Sequence, residues 1–186
     1  MSFCFAANCS IIIKGVGNTV IVDKGLTTLK NCNIFIKGNN NRIRISAGCK
    51  CRNVTFYIED DGNKIELEPK VQITGTTHLA AIEGTKIIVG ENSLFSQEIT
   101  IRTGDSHSVL DVCSGERINP SKDVIIGAHC WICHSVKILK GSSIGNNSIV
   151  ATGAIVSGKS YPDHCIVGGI PAKFIKSNID WNHDRL

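Results

Sequence analysis

The segment His129-Cys130-Trp131-Ile132-Cys133-His134 sets two cysteines at C-x-x-C spacing between two histidines. Taken alone, these residue types suit a tetrahedral zinc site or a thiol–disulfide pair. Either chemistry needs the side chains to converge, so the element that carries them decides the matter. That element is set by a six-residue rhythm. Ile126, Ile132, Ile138, Ile144, Val150 and Val156 follow one another at steps of six, all β-branched and aliphatic. Two residues before each stands a small or short residue: Val124, Cys130, Val136, Ser142, Ser148 and Ala154.

This period is the hexapeptide repeat of a parallel β-helix. Each hexapeptide makes one short strand and one corner, and three close a triangular coil with the aliphatic residue pointing inward. One coil cannot bury its own core, so stability comes from stacked neighbours. On such a strand Cys130 shares the inward side with Ile132, Cys133 faces the other way, and the two histidines lie toward the corners. A single chelate from the four is awkward, and the expectation is reduced thiols with no metal.

The rest of the chain fits a solenoid. "GNTVIV" (17–22), "NCNIFI" (31–36), "NNRIRI" (40–45) and "GNKIEL" (62–67) each put a turn residue before an apolar–x–apolar strand. They predict irregular coils of the same helix, with a separate β domain as the competing arrangement. The expected organisation is one all-β, parallel β-helix domain over residues 1–175, most regular over about 122–160, and a C-terminal tail over 176–186. "PAKFIKSNIDWNHDRL" is expected to form a final turn and a terminal segment, with a short helix as one form it could take.

Composition narrows the function. Apolar residues at 42% with charged residues at 19% argue for a packed core and against disorder. A net charge of +4, with cations scattered and aromatics at only 5%, makes a nucleic-acid groove a poor fit. No stretch approaches the ~18 apolar residues of a membrane span. The N-terminus has no basic leader before an apolar run. Nine cysteines, an odd number, then point to free thiols in a reducing compartment, and a cytoplasmic protein is expected.

Over residues 97–176 the chain resembles the hexapeptide-repeat acyltransferases, left-handed β-helix enzymes that use acetyl-CoA. The segment "RTGDSHSVLD" (102–111) resembles the "DxHS" segment of the branch that O-acetylates bacterial surface sugars, including the polysialic acid O-acetyltransferases. The resemblance implies two catalytic positions, His107 and Trp131, with the spacing of that branch intact between them. A histidine suits the reaction. An alcohol is a poor nucleophile at neutral pH, and a base of matched pKa speeds its attack by ~10²–10⁴. Asp105, or equally a backbone carbonyl, could orient the imidazole.

Trp131 is expected to point outward. The resemblance implies that it walls the thioester channel and that its backbone N–H can meet the developing oxyanion. It also implies pantetheine along neighbouring coils at Ala151, Thr152, Gly153 and Ser157, CoA phosphates near Lys159, Lys173 and Lys176, and a homotrimer with sites between chains. Many relatives have Gly where this chain has Cys133. The expected function is therefore O-acetylation of a sugar hydroxyl on a capsule, polysialic acid or lipopolysaccharide unit. The alternatives are a drug- or nucleotide-sugar-acetylating enzyme of the same fold, or a carbohydrate-binding solenoid without catalysis.

Overall fold

The structure, a computed structural model, describes residues 4–185. Its regular elements are all strands, arranged in three parallel sheets of nine, seven and seven. The chain visits the sheets in turn, so each sheet is one side of a triangular prism. We call them the first sheet (beginning at Cys4–Ala7), the second (Ser10–Lys14) and the third (Thr19–Val22). This is the parallel β-helix that the hexapeptide rhythm predicts, with the left-handed form that the family resemblance implies. No helix in the described residues is long and apolar enough to cross a membrane.

The rhythm maps directly onto the core. All six β-branched residues of the repeat, and all six small residues preceding them by two, are buried. Emptying one such site, as in Ile132→Ala, removes contacts to the coils above and below and costs ~2–5 kcal/mol. Register pairs Trp131 with Ile149, Lys137 with Ile155 and Ile125 with Ser143, so each of these coils takes three hexapeptides.

The N-terminal coils depart from the hexapeptide count rather than from regularity. Cys4 pairs with Thr27, Thr28 with Lys50, Lys50 with Gln72 and Gln72 with Leu94, so each turn is longer than three hexapeptides. Strands there run to six residues, as in Val54–Glu59 and Thr77–Ile82. Their corners are made by asparagine ladders. Asn8, Asn31 and Asn53 all adopt left-handed backbone, and their side-chain amides link one coil to the next at 3.3 and 3.0 Å. Asparagine tolerates this conformation better than most residues and can bond its neighbours from it.

Two features break the stacking. Residues 103–123 leave the corner between Ile99–Arg102 of the second sheet and Val124–Ile126 of the third, and they lengthen the coil that runs from Leu94 to its register partner Trp131. At the C-terminal end, Ala172–Ser177 turns back antiparallel to Cys165–Gly169. No helix forms in the described part of the tail. Its first half becomes this strand, and residues 178–185 continue without regular structure.

Candidate functional site

His107 sits on the 103–123 excursion, and one buried residue organises its surroundings. Asn119 is 8% exposed. Its Nδ2 donates to the carbonyl of His107 and to Asp105 Oδ2, each at 2.9 Å. Its Oδ1 accepts from the Val109 N–H at 2.7 Å and from Arg117 Nε at 3.2 Å. The excursion is tied to the prism edge by further charged contacts. Lys140 donates to Asp105 and to the Asn119 carbonyl, while Arg117 pairs with Glu83 at 2.7 Å. Glu83 also accepts from the Ser121 N–H at 3.1 Å. The ammonium of Lys140, with the Asn119 amide second, holds the Asp105 carboxyl below its ordinary range.

Asp105 Oδ2 is thus engaged by Asn119 and Lys140. Among the described residues no hydrogen bond joins Asp105 to the His107 ring. It secures the backbone that carries His107. The imidazole itself is exposed. Asn119 and Lys140 are the residues that sequence reasoning misses. Each meets the His107 segment only through tertiary folding, and no motif marks either.

Trp131 lies on the first sheet, between Leu94 and Ile149 in register, and is 38% exposed. Its indole points outward while Ile132 fills the core. Its backbone N–H donates to the Ser148 carbonyl at 2.9 Å. The strand ladder thus uses the donor expected to meet an oxyanion, and the indole is what Trp131 offers to a ligand. The adjoining corner brings Ala151, Thr152 and Gly153 beside it. The Gly153 N–H donates to the His134 carbonyl at 2.8 Å, and its φ of +72° suits glycine. Burial pushes the Cys133 thiol up to about 11, against a smaller opposite effect from bonds with Thr152. That thiol stays protonated near neutral pH.

The four metal-type side chains around Trp131 diverge. Cys130 is buried in the core, and its thiol meets the Gly145 carbonyl at 3.1 Å. His134 approaches Glu98 at 3.3 Å. His129 stacks on Trp181, with ring centroids 4.5 Å apart. Among the described residues no group of three or more His, Cys, Asp or Glu could hold a metal ion. Trp181 has no signal in the sequence beyond being the second of two tryptophans. It clasps the tail to the prism: its Nε1 donates to the His129 carbonyl at 2.7 Å, and its ring lies 5.9 Å from Trp131.

The expected site residues therefore form two groups on opposite sides of the prism. Trp131 and Ala151–Gly153 occupy the first sheet and its corner with the second. His107 lies on the excursion from the corner between the second and third sheets. Ser157 and Lys159 share that corner, where Lys122, Lys140, Gly141, Ser157 and Gly158 line a shallow cavity of about 190 Å³. Lys173 and Lys176 are exposed on the antiparallel strand that ends the first sheet. One chain does not bring His107 to Trp131.

No family model matches the chain. A polysialic acid O-acetyltransferase of Neisseria meningitidis is 32% identical over 143 residues, 71% of this chain and 66% of the relative. A polysialic acid O-acetyltransferase of Escherichia coli O1:K1 / APEC is 31% identical over 120 residues, 64% of this chain and 38% of the relative. The chain thus spans less than two thirds of the length of these relatives. Among solved structures, the polySia-specific acetyltransferase NeuO superposes with a TM-score of 0.77 at 29% identity, covering 95% of this chain and 90% of that one. The polysialic acid O-acetyltransferase OatWY gives a TM-score of 0.52 at 25% identity, covering 99% and 93%.

Proposed function

We propose, from the premise that this chain belongs to the hexapeptide-repeat acyltransferase family, that it transfers acetyl from acetyl-CoA to a sugar hydroxyl of a bacterial surface polysaccharide. The observation that carries the proposal is the likeness to NeuO along nearly the whole prism, with a histidine and an outward tryptophan on its two sides. A sugar hydroxyl is the acceptor these relatives' names favour over a drug or an amine.

The chemistry divides between the two groups. His107 takes the acceptor proton as the hydroxyl oxygen attacks the thioester carbonyl. The tetrahedral adduct collapses, the C–S bond breaks, and the imidazolium returns its proton to the departing thiolate. Trp131 supplies a flat apolar wall for the thioester arm, with Ala151, Thr152 and Gly153 at its edge. Ser157 and Lys159 flank the opposite corner, and Lys173 and Lys176 offer cations to the CoA phosphates. The reaction needs both groups at one place, and a second copy supplies the missing half. A head-to-tail contact between unlike surfaces closes into a ring, and a homotrimer is the ring that suits a three-sided prism. Reduced thiols and a cytoplasmic site of action fit a donor made inside the cell.

The test is mass spectrometry of products after incubation with acetyl-CoA and a panel of acceptors: polysialic acid, lipopolysaccharide sugar units, chloramphenicol and amino sugars. An acetyl ester on a glycan hydroxyl is the expected product. Transfer to the drug or to nitrogen alone would overturn the acceptor assignment.

A further inference from the structure

The outer face of the first sheet is charged in a way the other two are not. On the second and third sheets several cations are matched by carboxylates, Lys37 with Glu59 at 2.9 Å, Arg42 with Glu66 at 3.5 Å and Arg44 with Asp23 at 2.9 Å, while Lys14, Lys64 and Lys137 stand apart on separate strands. None of the first sheet's nine strands contains an Asp or Glu. Near its N-terminal end it gathers Lys30, Lys50 and Arg52, all exposed and, among the described residues, without an ion pair. Lys30 and Arg52 are direct register partners. Like charges placed so destabilise a sheet, and the fold gains nothing from them. The three line a groove of about 460 Å³, together with Phe5, Thr28 and Gln72.

We infer that this groove is a distal subsite for an anionic glycan chain. The inference rests on the acceptor class proposed above and extends it. Three cations suit the carboxylates of successive acidic sugars. Thr28 and Gln72 can bond hydroxyls, and Phe5, 55% exposed, offers a ring for the apolar face of a sugar. Among the described residues one aromatic lines the groove, where a nucleic-acid strand would need a series of stacking rings. The groove also points at Trp131. Phe5, Thr28, Lys50, Gln72, Leu94 and Trp131 form one register column on the outer face. Lys50 is three strands from Trp131, ~14 Å at the usual strand spacing. A single sugar at Trp131 cannot touch the cations, whereas a chain of several sugars along the sheet can.

The experiment compares the full chain with a Lys30→Gln, Lys50→Gln, Arg52→Gln variant and with Lys50→Glu alone. Circular dichroism and melting confirm that each is folded. Calorimetry without CoA measures binding of polysialic acid, of neutral dextran of similar length and of single-stranded DNA. Kinetics compare polymer with a two-sugar acidic acceptor. Neutralising three exposed charges should weaken polysialic acid binding about tenfold, ~1.4 kcal/mol, flatten its salt dependence, and lower the polymer-to-disaccharide ratio of kcat/KM by a similar factor. Unaltered polysialic acid binding in both folded variants overturns the subsite, as does tighter binding of DNA than of the glycan by the full chain. If no glycan is acetylated but the variants still lose polysialic acid binding, the subsite stands and the transferase proposal fails.

Discussion

Replacing Asn119 with alanine tests whether the 103–123 excursion is a positioning device for His107. The substitution removes four hydrogen bonds, of which those to Asp105 and Arg117 involve charged groups. Neutral bonds contribute ~0.5–1.5 kcal/mol each and charged ones ~1.5–3. Water replaces part of this at an exposed rim, which leaves the excursion less stable by about 2–4 kcal/mol. The core coils lose nothing, so melting should shift little. Hydrogen exchange provides the local readout: the Val109 amide, bonded to Asn119 Oδ1, should exchange about 10²-fold faster. Release of the CoA thiol, followed with a thiol reagent, provides the functional one. A displaced imidazole should lower kcat/KM by about 10²-fold. A loosened excursion with wild-type turnover would refute the positioning role. An unaltered Val109 amide would refute the assignment of these bonds as the anchor.

Three further outcomes follow from the same geometry. His107→Ala should lower kcat by about 10²-fold or more with CoA affinity retained, because the base acts in the transition state; a tenth of wild-type rate remaining would contradict it. Arg117 holds the Glu83 carboxyl below its usual range, as Lys140 does for Asp105. Depressed carboxylates stabilise the fold above their unfolded values, about 3.9 for Asp and 4.3 for Glu, and that stability is lost as pH falls through the lower folded values. Limited proteolysis should therefore begin to cut residues 103–123 only below about pH 4, and cutting already at pH 6 would contradict the anchors. The purified protein should carry no stoichiometric zinc, and iodoacetamide at pH 7.5 should label exposed Cys113 well before Cys133, whose thiol is pushed up to about 11.

What the residues announce in advance depends on how locally they act. The hexapeptide coils are legible because one position per strand faces the core, so Ile126 through Val156 repeat at a fixed interval. The N-terminal coils obey the same stacking with longer turns, as the pairing of Cys4 with Thr27 and of Thr28 with Lys50 shows. A period that long, with longer strands and asparagine-built corners, leaves only scattered turn–strand motifs. His107 and Trp131 stand out because of the company each keeps in the chain. Asn119, Lys140 and Trp181 act across 12, 35 and 52 residues on His107, Asp105 and His129, and a linear pattern does not reveal them. The Trp131 backbone donor shows the reverse case: the family resemblance implies an oxyanion contact, but the parallel ladder engages it with the Ser148 carbonyl.

The division of the site between two sides of the prism is tested most directly by mixing two inactive variants, His107→Ala and Trp131→Ala. The two chains are co-expressed with different tags, and complexes carrying both tags are purified alongside each variant alone. If each site takes His107 from one chain and Trp131 from its neighbour, some contacts in a mixed ring restore both residues. Selecting both tags leaves three-membered rings with two copies of one variant and one of the other, and in either kind about one contact in three joins an intact His107 to an intact Trp131. The purified mixed complexes should recover about a third of wild-type turnover. Activity no greater than that of the separate variants would contradict a site shared between chains.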